Sequence, residues 1–271
     1  MAVGVRAERT PAMNRPPRCE PSLLERADLA LASRLTKVVA EPEPEESAQR
    51  ALDQFRAPAA SDAAFLASLL RLRGFVIADE DVAAVLDGRE GRLSPLSQEH
   101  RIVRGLHKGL VEIRQRARDG LAPDGWFFLT LFREMTFELP RFRNNELRRG
   151  PPWDAVLYTT YPTPDQLHFL LDTFDEEHCF RDLPAMFRSL HPVRQGFRIL
   201  WRFARIAPFA DFNLVVGWFG MNAWLQYKGY PLMPAQAGDQ AFLARLVGGP
   251  PPTKIVQFEA RLLETIEKSV A

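Results

Sequence analysis

Two polar residues, Asp211 and Asn213, interrupt an otherwise apolar stretch, Ala207-Pro208-Phe209-Ala210-Asp211-Phe212-Asn213-Leu214. A carboxylate there can take up a proton, hold a metal ion or cap a helix, and its neighbours decide which. Alone, without phosphate partners, it is a weak magnesium site, because that ion relies on substrate oxygens to complete its octahedron. The other candidates for chemistry are scattered. His100 and His107 lie seven apart, but no cysteine or carboxylate cluster completes a zinc set, so these, with His168 and His191, are expected to be surface histidines. Glu177-His178 stands beside Cys179 without an oxyanion hole or an orienting third group, which predicts a plain loop. No GxGxxG, Walker A or GxSxG pattern occurs, which removes the common phosphate-loop and hydrolase readings.

The elements that position Asp211 are helices. From Val193, apolar Phe197, Leu200, Phe203 and Ala204 recur at helical spacing, while Arg194, Arg198, Arg202 and Arg205 take the other side. This amphipathic helix must stop near Ile206, because Pro208 disfavours helical backbone at Ala207. Asp211 or Asn213 can cap the next helix, which runs through Trp218 and Trp224 to Lys228 and ends at Gly229 with Pro231 beyond. Further helices are expected at 23–39, 47–55, 61–73 and 79–86, from Ser94-Pro95 to near Gly120, at 125–139, from a Thr163-Pro164-Asp165-Gln166 capping box, and at 253–270.

The stretch from Ala207 to Trp218 aligns without a gap to HxFx(D/E)GNGRxxR, the signature of Fic (Fido) domains, and the chain resembles that family with a degenerate active-site motif. Pro208, Phe209, Asp211 and Asn213 match. Where the family has its proton-accepting histidine, this chain has Ala207; the two phosphate-wrapping glycines become Phe212 and Leu214; the two signature arginines become Val215 and Trp218. General-base catalysis is typically worth ~10²–10⁴-fold, and a methyl group cannot supply it. Side chains at 212 and 214 restrict positive φ and crowd an anion, so the cradle is expected to be spoiled. Val215 and Trp218 cannot form bidentate bonds to phosphate. Asp211 stands at the family's magnesium position.

The resemblance extends from about 65 to 234. It places Leu69-Leu70-Arg71-Leu72-Arg73-Gly74 at the family's inhibitory helix, with Arg73 where a glutamate would pair with the second signature arginine; the inhibitor is expected to be lost with its partner. Phe142-Arg143-Asn144-Asn145 followed by Trp153 to Tyr161 is similar to the "FR" segment and the flap hairpin that docks target peptides by strand addition. The implied class is mainly α, a Fic-like helical core with a small β-hairpin flap and terminal helical extensions, divided as a disordered tail (1–21), an N-terminal extension (22–64), the Fic-like domain (65–234) and a C-terminal extension (235–271).

Composition agrees with a packed domain, since 46% of residues are hydrophobic and 25% charged. Thirty-five basic residues against 34 acidic ones argue against nucleic-acid binding driven by bulk charge. The bias of 30 arginines to 5 lysines reads as genomic base composition. Two cysteines, Cys19 and Cys179, make no disulfide framework, and residues 1–21 carry no apolar signal core, so a cytoplasmic location is expected. The span 206–225 is long enough to cross a bilayer, but Pro208, Asp211, Asn213 and Asn222 favour a central buried helix over a membrane span. The functional expectation is a catalytically silent Fic-like protein that binds another protein, with no cofactor and no membrane, and with homo-oligomers allowed. The alternative is a divergent group transferase using Asp211 as base or metal ligand, with Arg143 and Asn213 as candidate donor-binding residues and ATP with magnesium, or another donor, as cofactor.

Overall fold

The computed structural model describes residues 22–40, 62–142, 147–155, 159–174, 185–247 and 255–270. Among these residues, nine helices, α1 (Leu23–Ala40), α2 (Asp62–Arg73), α3 (Asp79–Leu86), α4 (Gln98–Arg118), α5 (Gly125–Thr136), α8 (Pro192–Ile206), α9 (Asn213–Tyr227), α10 (Asp239–Val247) and α11 (Val256–Val270), are accompanied by the shorter α6 (Leu167–Asp172) and α7 (Ala185–Arg188). Most boundaries follow local chemistry. Asp124 caps α5 by accepting from Phe127 N, and the Thr163/Gln166 box opens the 3-10 turn (Pro164–Gln166) that leads into α6. Helix α4 begins later than expected, at Gln98, because Ser94–Ser97 forms a turn and Ser97 accepts from His100 N. Helix α5 stops at Thr136, where Leu139 N turns back to Thr136 O ahead of Pro140.

Helix α9 lies at the centre. Residues 213–226 are all buried, which is why this helix has no polar face. Helices α8, α4, α2 and α5 pack around it, α10 lies on α8, and α1 packs on α11 in an outer layer. Close approach needs small residues at two crossings. A Cβ on Gly105 would come within 2.5 Å of Met135 Cα, and one on Gly220 would enter the Phe128 ring. The floor beneath the α8–α9 connection is aromatic, with Phe132 stacked on Phe209 at 4.0 Å and Phe128 on Phe203 at 4.5 Å.

The span 206–225 is a loop followed by most of α9, and among the described residues no helix is long and apolar enough to cross a membrane. No strand forms among the described residues, so the expected flap hairpin is absent from them; its centre, 156–158, lies outside. The reason is local: Trp153 N donates to Ala210 O at 2.7 Å, so the backbone on this side bonds the α8–α9 loop rather than a second strand. The expected tail at 1–21, the helix at 47–55, Arg143 and the Glu177–Cys179 group also lie outside the described residues.

Candidate functional site

The α8–α9 loop brings its motif residues to the positions that the spacing predicts, but their surroundings are closed. Ala207 ends α8 in a left-handed conformation (φ 43, ψ 63), and Phe212 repeats it before α9 (φ 64, ψ 17). The expectation that a side chain at 212 would exclude positive φ is therefore corrected. Such backbone costs a bulky residue roughly 1–2 kcal/mol; ring burial offsets it, since Phe212 is stacked on Phe75, lies edge-on to Phe142 and is covered by the Arg73 guanidinium.

Asp211 does not cap α9. It is fully buried (0%), and its Oδ1 accepts from Phe212 N (2.7 Å) and Arg73 Nε (2.5 Å). Oδ2 accepts from Arg73 Nη2 at 3.0 Å and lies 3.5 Å from Arg141 Nη2. The hydrogen bond to Asp211 holds the Arg73 guanidinium above its ordinary pKa. So the position that the resemblance gives to an inhibitory glutamate still reaches the loop, with its charge reversed. A fork-to-fork pair satisfies the carboxylate on both oxygens and leaves it little capacity as base or metal ligand.

The cap of α9 comes from elsewhere. Asp154 Oδ2 accepts from Asn213 N at 2.6 Å and Leu214 N at 3.4 Å, and Oδ1 accepts from Asn213 Nδ2 at 2.8 Å. A carboxylate is favoured at a helix N-terminus by the free amides and the dipole. Burial, working against the bonds from Asn213 and aided by the charge of Asp211, raises the Asp154 carboxyl above the usual carboxylate range. The first amides of α9 are thus taken up by the chain's own Asp154 carboxylate. Asn213 turns its side chain back on the loop, accepting from Phe209 N and donating to Phe209 O, both at 2.9 Å.

Arg148 holds the other side. Its guanidinium donates to the carbonyls of Ala207 (2.7 Å), Gly150 (3.0 Å), Pro162 (2.6 Å) and Ile206 (3.4 Å), and its backbone N donates to Pro208 O at 2.9 Å. A cation at the C-terminus of α8 meets the negative end of the helix dipole, while burial lowers the guanidinium pKa.

Val215 and Trp218, at the signature-arginine positions, are buried at 1% and 0%, and the indole Nε1 donates to Met233 O at 2.8 Å. Asn222 stitches the same strand of chain, donating to Met233 O and accepting from Met233 N at 2.6 Å. Asp154, Arg148 and Arg141 were not singled out from the sequence, because the groups they bond around the α8–α9 loop stand 58 or more positions away along the chain. Among the described residues no group of three His, Cys, Asp or Glu could hold a metal ion.

No protein-family model matches the sequence, and no curated protein sequence does. Solved structures do match. A Fic domain containing signaling protein from Bacteroides thetaiotaomicron superposes with TM-score 0.65 at 20% identity, over 90% of this chain and 95% of that one. A Fic family protein from Desulfovibrio desulfuricans gives 0.57 at 15% identity over 94% and 76%, and Fic-1 from C. elegans gives 0.58 at 14% over 90% and 71%. At these identities the likeness establishes the fold.

Proposed function

We propose that this chain, built on the all-helical Fic fold, transfers no nucleotide and acts by binding another protein. The observation that carries the reading is the internal pairing of the loop: the anion position holds Asp154, and Asp211 is held by Arg73. Buried Ala207, Val215 and Trp218 support it, since none can accept a proton or grip a phosphate where the fold would use those positions. These residues do not fit a magnesium nucleotide, and the transferase reading finds no free carboxylate at Asp211. Protein binding is supported by the outer face of α5, where exposed Trp126 lies beneath Arg133 at 5.2 Å and exposed Phe137, the residue just past the helix end, continues the same side. The test is incubation of the full chain with radiolabelled ATP and magnesium, with calorimetric titration of the same nucleotide. Neither labelled protein nor micromolar binding is expected. Transfer of label to any protein would overturn the reading.

A further inference from the structure

We propose that a cavity between the end of α3 and the start of α4 binds a free amino acid with a large apolar side chain. Its lining shares no residue with the α8–α9 loop, so the proposal is independent of whether nucleotide transfer occurs there.

The chain forms the cavity by reversing twice. At the end of α3, Gly88 takes φ 65 and Arg89 N donates back to Ala84 O at 2.9 Å, a glycine stop that turns Arg89 and Glu90 across the helix end. Gly91 then lies close against α3, where a Cβ would come within 2.8 Å of Ala84 Cβ. The second reversal is the turn from Ser94, closed by Ser97 N donating to Ser94 O at 2.8 Å, which leads into α4. The space left between them is about 420 Å³, in the range of small-molecule sites.

The lining places both signs of charge beside an apolar wall. Val85, Leu93 and Pro95 make the wall, and Arg89, Glu90 and His100 bring the polar groups. Each of the three has capacity to spare. Glu90 makes no hydrogen bond or ion pair among the described residues. Arg89 spends Nε and Nη2 on a single oxygen of Asp87, at 3.0 and 2.8 Å, and keeps Nη1. His100 Nδ1 is buried without a partner. A buried N–H without an acceptor is costly, so the ring hydrogen belongs on Nε2, the nitrogen that is not enclosed. An unpaired carboxylate beside two free N–H donors fits a ligand that carries an ammonium and a carboxylate together. A simple anion would meet Glu90, and a simple cation would meet Arg89. The wall takes the apolar side chain.

The experiment is an NMR titration of the full chain with L-phenylalanine, with phenylpropionate, which lacks the ammonium, and with phenylethylamine, which lacks the carboxylate. Saturable shifts should centre on the amides of residues 85–100, and L-phenylalanine should bind at least about tenfold more tightly than either analogue. Glu90→Gln should bring L-phenylalanine down to the level of phenylpropionate; Glu90 is exposed, so this variant keeps the fold. His100→Gln should weaken both carboxylate ligands and leave phenylethylamine unchanged, and if it does not fold, Arg89→Gln, at another exposed position, makes the same test. Equal affinity for the three compounds, no saturable shift at residues 85–100, or a Glu90→Gln protein that still prefers L-phenylalanine would overturn the proposal. Label transfer from ATP would sink the silent reading and leave this site standing, whereas indifference to L-phenylalanine would do the reverse.

Discussion

The two ends of α8 are held by opposite means. At the C-terminal end a cation, Arg148, gathers backbone carbonyls and is itself buried. At the N-terminal end an anion, Asp28 of α1, accepts from Tyr230 Oη at 2.7 Å and from His191 Nε2 at 3.1 Å, while His191 Nδ1 accepts from Val193 N. With Nδ1 as acceptor, Nε2 carries the hydrogen that points at Asp28. Each end matches the sign of the helix dipole, but only one is open: the Asp28 side chain is about half exposed. The closed end ties the α8–α9 loop to the segment that carries Arg148. The open end ties α1, from the N-terminal extension, to the core, and titrates.

The largest effect should come from the closed end. Arg148→Met removes the donor for four carbonyls, and each buried acceptor left without a partner costs roughly 1–3 kcal/mol; a total loss under about 1 kcal/mol in urea denaturation would mean that solvent replaces the guanidinium, and the contrast would fail. The open end should respond less, and to pH. Burial, then the hydrogen bond to Asp28, push the Tyr230 hydroxyl well above its ordinary value. Its folded pKa is raised, so its contribution is complete below the unfolded value of about 10 and is lost as pH rises beyond it. Tyr230→Phe should cost about 1 kcal/mol at neutral pH and flatten the alkaline limb of the stability curve; an unaltered limb would assign that limb to other groups. The smallest effect is at Ala207, one of the two left-handed residues. Ala207→Gly should gain about 0.5 kcal/mol, because little side chain is lost and strain is relieved. Phe212→Gly relieves similar strain but should lose about 2–3 kcal/mol net, since it empties the space between Phe75 and Phe142. Thermal unfolding of the pair checks both signs.

Repeating apolar spacing made α8 legible before any coordinates, and the Pro208 break and Gly229 with Pro231 bracketed the loop and α9 within a residue or two. The gapless run from Ala207 to Trp218 was enough to name the fold. One expectation for the loop did not hold: Phe212 was expected to resist positive φ. Local reading weighs a residue's own preference, whereas the outcome here was set by Phe75 and Phe142, which lie far off in the chain.

Composition, helical period and the order of residues between α8 and α9 therefore determined by themselves that this protein is a helical bundle with a short loop, carrying Asp211, between two core helices. Only the tertiary structure decided what the surviving polar groups do. Asp211 could have been a cap, a base or a ligand until Arg73, 138 positions earlier, was brought against it; Asp154 had no evident role until the chain folded back onto the start of α9. Hydrogen bonds and charge pairs act over a few ångströms of space and are blind to sequence separation, so spacing along the chain cannot announce them.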